Sequence, residues 1–99
     1  MIQRIVTFKL KDAHRSDAAR AEFAERTRKD LGALRQVRSV TVGVPADEAS
    51  KASWDIAITL QFDSLEDVKA YIVDPDHRAY VDDYASPKIE VRRAWNFEI

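Results

Sequence analysis

The chain has 99 residues, with 16 Lys and Arg against 17 Asp and Glu, a formal net charge of −1. Near-neutral charge removes any general electrostatic pull on nucleic acid or anionic lipid. The lack of cysteine excludes disulfides, thiolate catalysis and cysteine-held metals.

One domain over residues 1–99 is expected. No apolar run approaches the roughly 18 residues that span a bilayer, and the N-terminus has no separate apolar region of a secretory signal. A soluble cytoplasmic protein is the plain expectation. Ile2 to Leu10 alternates, with Ile2, Val6, Phe8 and Leu10 on one face and Arg4 interrupting it, which predicts a half-buried strand. Ser16 suits an N-cap, followed by a helix with the stripe Ala19, Phe23, Thr27, Leu31 and Leu34. Glu22–Arg26 and Glu25–Lys29 are spaced as ion pairs on its outer side, and Gly32 as a left-handed cap. Val37 to Val44 is β-branched and predicts a second strand. Pro45 to Ser53 reads as an exposed connection. Trp54, Ile56, Ile58, Leu60 and Phe62 then alternate with polar or small residues as a third strand.

Ser64 and Asp67 open a second helix with an inner stripe of Leu65, Val68 and Ile72 and with Tyr71 at its margin. Pro75 ends that helix at Asp74, and Asp74 can cap a short new helix carrying His77, Tyr80, Val81 and Tyr84. Ile89, Val91, Trp95, Phe97 and Ile99 alternate as the last strand, broken by Arg93. The order β-α-β-β-α-β is that of an α+β, ferredoxin-like fold: a four-stranded antiparallel sheet with both helices on one face. The other face, with Ile5, Thr7, Thr41, Ala57, Thr59, Gln61 and Ala94, suits either a second copy of the chain or solvent.

Few residues carry chemistry. His77 can act as a general base near neutral pH, or can hold the helix junction through a backbone hydrogen bond. Tyr71 can donate to a developing oxyanion, or can be core with its hydroxyl at the boundary. Arg4 on an apolar face must be paired, reach solvent or face a ligand anion. The acids around His77 lack the two-histidine spacing of a zinc site, so no metal is expected. His77 can also ligate haem, but nothing in the sequence is specific for it, and no cofactor is expected. Arg26, Arg28, Lys29, Arg35 and Arg38 are interleaved with acids and lack aromatics, which fits a solvated face, not a nucleic-acid platform.

The opening run Ile5-Val6-Thr7-Phe8-Lys9-Leu10-Lys11, the Trp54-Asp55 pair, Phe62-Asp63-Ser64-Leu65-Glu66-Asp67 and Tyr71-Ile72-Val73-Asp74-Pro75-Asp76-His77 resemble the Dabb family of stress-responsive dimeric α/β barrels. The resemblance covers nearly the whole chain. It implies a homodimer whose two sheets close into a barrel, in a family where many members have no defined activity. It also implies a second reading, because one plant member is a polyketide cyclase with a catalytic tyrosine and histidine matching Tyr71 and His77. Two further histidines of that enzyme fall on Arg4 and Ile56 here. On this reading Tyr71 and His77 are catalytic, and Arg4, Phe8, Phe23, Ile56 and Ile58 bind the substrate. A small-molecule site at this place calls for a cavity of about 300 Å³ or more.

Overall fold

The computed structural model describes residues 1–99. Strand β1 (Ile2–Leu10) is followed by a 3-10 turn, α1 (Asp17–Gly32), β2 (Ser39–Gly43), a single helical turn α2 (Glu48–Lys51) and β3 (Ile56–Phe62). Then come α3 (Leu65–Val73), α4 (Pro75–Ala79), a π-helical segment Tyr80–Ala85, a 3-10 turn Ser86–Lys88 and β4 (Ile89–Glu98). All strand pairs are antiparallel, in the order β2-β3-β1-β4, which is the ferredoxin-like arrangement. No helix is long and apolar enough to cross a membrane.

The caps fall where their chemistry directs. Ser16 Oγ accepts from the Ala19 N–H at 3.1 Å, and Ser64 Oγ accepts from the Asp67 N–H at 3.3 Å. The Gly32 expectation fails: α1 closes on Ala33 in right-handed geometry, and no glycine has positive φ. The expected ion pairs of α1 are also replaced, by Arg26–Asp30 at 2.8 Å and Arg28–Glu25 at 2.9 Å. The Pro45–Ser53 connection is not plain loop, because Asp47 accepts from the Ser50 N–H and nucleates α2.

The core lies between the sheet and the helices. Ile56, Ile58, Leu60 and Phe62 of β3 and Val6, Phe8 and Leu10 of β1 are buried there. Phe23 of α1 meets Phe8 edge-on, with ring centroids 5.8 Å apart. Thr27 and Tyr80 share a buried hydroxyl–hydroxyl hydrogen bond of 2.6 Å, which ties α1 to the π segment. In α3 the buried residues are Val68 and Tyr71, while Leu65 and Ile72 are exposed. The expected inner stripe is therefore rotated. The chain needs Tyr71 inside because its ring packs on Phe62 at 5.0 Å.

Directly paired residues of a sheet point to the same side. Val6 pairs with Ala94 and Ile5 with Trp95, so Ala94 faces the helices while Trp95 joins Ile5 on the open face. Placing Ala94 on the open face is thus corrected. The cause is a bulge: Lys9 pairs with Val91 but Leu10 pairs with Ile89. The extra residue, Glu90, turns Ile89 inward and leaves Val91, Trp95 and Phe97 facing out. The open face is therefore more apolar than simple alternation implies.

One buried group escaped the sequence reading. Asp55 precedes β3 and is 1% exposed. Its carboxylate accepts from the Leu10 N–H at 2.8 Å and from Arg20 Nε at 2.9 Å, with Arg15 Nε at 3.4 Å. The Asp55 N–H donates to the Phe8 carbonyl at 2.9 Å. A charge just before the alternating residues of β3 thus ties β1, α1 and the start of β3 together.

Candidate functional site

Asp74 holds the extended geometry (φ −58°, ψ 130°) that a following proline imposes, so α3 stops there and α4 starts at a new angle. The Asp74 carboxylate accepts from the Asp76 N–H at 2.9 Å and from Gln36 Nε2 at 3.0 Å. The Gln36 hydrogen bond, helped by the Asp76 N–H, holds its pKa below the usual value. This fixed junction brings the rings of Tyr71 and His77 together, with centroids 4.0 Å apart and planes 37° apart.

His77 is buried, and its Nδ1 lies 3.3 Å from the Ile72 carbonyl. A carbonyl only accepts, so Nδ1 carries the hydrogen and Nε2 keeps its lone pair. Burial lowers the His77 pKa, and the bond to Ile72 opposes that shift. Arg78, Arg4 and Arg92 lower it further. The imidazole is therefore the neutral base at neutral pH. Burial pushes the Tyr71 phenol up to about 12, against smaller opposing pulls from Arg4 and Arg92, so it remains a donor. Environment thus sets the two groups apart, with the imidazole pushed toward its neutral form and the phenol toward its protonated form.

Tyr71 and His77 line a cavity of about 80 Å³ between the sheet and the α3–α4 junction. Arg4, Arg78 and Arg92 share its wall, and Val6, Phe8 and Ile58 give it an apolar side. Of the expected substrate-binding residues, Arg4, Phe8 and Ile58 are gathered here. Phe23 packs instead between Phe8 and Tyr84, and Ile56 lines a separate open hollow of about 520 Å³ beside Trp54 and Val44. That hollow is larger, but Asp55 is its one titratable lining group, and the Asp55 carboxylate is engaged by Leu10 and Arg20. The shifted tyrosine–histidine pair therefore lies at the smaller cavity. The expected cavity of roughly 300 Å³ is not present there, and the His77 ring takes the backbone hydrogen bond of the alternative reading. A polyketide-sized pocket is corrected to a space for only a few heavy atoms.

Sequence reasoning missed Arg92 and Arg78 as neighbours of His77. Arg92 reaches the cavity because the register pairs it with Phe8 on the inward face. The same bulge that reassigns Trp95 hides this in a period-two reading.

The lowered His77 pKa has a measurable consequence. The unfolded chain takes up this proton near pH 6.5, whereas the folded chain resists it. Above that pH both forms are neutral and His77 contributes no slope. As pH falls below it, the unfolded state binds more protons and stability drops toward the folded pKa. Urea unfolding of wild type and His77→Gln between pH 7.5 and 5 should show a shallower acid loss in the variant. Equal slopes would contradict the buried neutral imidazole.

The Dabb family model, Stress Responsive A/B Barrel Domain, matches residues 2–99. A Dabb family protein of Mesorhizobium loti with a ferredoxin-like fold is 24% identical, with a TM-score of 0.82 over 99% of this chain and 95% of that one. A dimeric protein of unknown function from Bacteroides fragilis is 26% identical, with a TM-score of 0.81 over the same 99% and 95%. A hydroxynitrile lyase from Passiflora edulis is 17% identical, with a TM-score of 0.74 over 99% of this chain and 92% of that one, and shares the fold. No curated protein matches the sequence. With a family match across almost the full chain and a ferredoxin-like strand order in agreement, the chain belongs to the Dabb, or stress-responsive A/B barrel domain, family.

Proposed function

We propose that the chain works as a homodimer closed through the open face of its sheet, and that each protomer moves a proton on a small carbonyl compound bound beside His77. The observation that carries the second part is the His77 ring 4.0 Å from the Tyr71 ring, tilted by 37°, at the wall of one cavity, where burial lowers the His77 pKa and raises that of Tyr71. His77 Nε2 takes a hydrogen from a carbon next to the carbonyl. The electron pair moves onto the carbonyl oxygen, and the Tyr71 hydroxyl donates a hydrogen bond to it. Return of the proton to carbon closes the cycle. The small cavity favours short substrates over a long polyketide chain. Ligand-observed NMR with short aldehydes, ketones and oxo acids should show binding that His77→Ala removes while the far-UV circular dichroism stays unchanged. Loss of the folded state alone, with no ligand bound by wild type, would leave His77 as a structural residue.

The dimer reading is supported by the exposed Trp95 and Phe97 on the sheet face that no helix covers, and by the dimeric state of the Bacteroides fragilis neighbour. Aromatics of this kind are where interface energy concentrates, at about 2 kcal/mol or more each. Trp95→Asp should weaken the dimer by at least about thirtyfold, read by sedimentation velocity across a dilution series. A wild-type monomer, or a variant dimer of unchanged strength, would contradict this surface.

A further inference from the structure

We propose that the His77 cavity is an anion site that selects a short organic carboxylate, held by Arg4 and Arg92 with its carbon end against Val6, Phe8 and Ile58. This inference rests on the small-molecule reading of the same cavity and names the class of compound it takes.

Three arginines line the cavity and no aspartate or glutamate does, although the chain as a whole is slightly acidic. Arg78 is already paired, with Asp82 at 2.7 Å. Arg4 and Arg92 form no salt bridge. Arg4 gives one hydrogen bond, to the neutral side chain of Asn96 at 2.9 Å. Its Nε is buried with no partner. A guanidinium stays charged in proteins, and a buried N–H left unpaired is destabilising until an acceptor reaches it. A carboxylate supplies two acceptor oxygens in the geometry that a guanidinium fork matches. The remaining wall is apolar, which suits the few carbon atoms that follow the headgroup. Positive charge here also favours the enolate formed when His77 removes a proton, so binding and chemistry ask for the same sign of charge.

The test titrates three probes into the labelled full-length protein and follows the His77 ring resonance by NMR: pyruvate, its uncharged methyl ester, and inorganic phosphate. Pyruvate is expected to shift the resonance saturably, with the ester and phosphate at least tenfold weaker. Arg4→Met and Arg92→Met should each weaken pyruvate binding about tenfold or more. Arg4→Met places an apolar side chain on an apolar strand face and is expected to fold, and Arg92→Met provides an independent check. Ester binding as tight as that of the acid overturns the anion site while leaving proton transfer intact. Phosphate binding as tight as that of pyruvate overturns selection of an organic acid. Binding of none of the three overturns the site. Pyruvate that binds without exchanging its methyl hydrogens for deuterium supports the anion site and contradicts the proton-transfer reading.

Discussion

Asp55→Ala is expected to cost about 3–5 kcal/mol, the loss that follows removal of one partner from a buried ion pair. The carboxylate is fully shielded, and Arg20, itself 6% exposed, would be left with a buried guanidinium facing Asp17 at 3.3 Å on its outer side alone. The Leu10 N–H would lose its acceptor too. Domains of this kind are stable by only about 5–15 kcal/mol in total, so the variant should unfold at much lower urea or fail to fold at 37 °C. Arg20→Met combined with Asp55→Leu removes both charges and should recover part of the loss. A single-variant cost under about 1 kcal/mol would mean that water already reaches this pair, contrary to its burial.

Phe62→Ala should cost a similar amount, about 3–5 kcal/mol, and should also disturb the site. Phe62 has no exposed surface and supports Tyr71 edge-on at 5.0 Å. Tyr71 in turn supports His77. Emptying the space beneath Tyr71 lets its ring sink, which separates it from His77. The His77 ring resonance should therefore move in Phe62→Ala, and hardly move in Leu60→Ala, since Leu60 is equally buried and absent from the cavity wall. Equal shifts in both variants would show that general loosening, not this stack of rings, positions His77.

Much of this molecule was legible from its residues because local chemistry and global packing agree. Ser16, Ser64 and Asp74 each start a helix as short polar side chains do, and the alternation of β3 places four large residues inward. What was hidden depends on long-range pairing. No local pattern announces the extra residue at Glu90, yet it decides which face Trp95 and Arg92 occupy. Nothing local marks Asp55 as buried, because its partners are 35 and 45 residues away in sequence. Ile72 outranks Tyr71 in hydropathy, and only the presence of Phe62 and His77 on the inner side explains why Tyr71 is the one buried. Of the candidate site residues, Tyr71, His77, Arg4, Phe8 and Ile58 meet at one cavity as their spacing and face suggested, whereas Phe23 and Ile56 lie in other surroundings.

The Asp74-Pro75 break is what brings the two rings of the candidate site together. A proline stops one helix, the preceding aspartate starts the next, and the new direction sets an imidazole on a phenol inside a basic, partly apolar cavity. Burial then keeps the imidazole unprotonated and the phenol protonated.

The most direct test of proton transfer by His77 is the rate at which short 2-oxo and 3-oxo acids exchange their carbon-bound hydrogens in deuterium oxide, followed by proton NMR. Wild type is expected to accelerate exchange of at least one such acid, and His77→Ala to lose about 10²–10⁴-fold of that acceleration, the usual contribution of a positioned acid–base group. Exchange at the same rate with wild type, with His77→Ala and with no protein would contradict the assignment of His77 as a base.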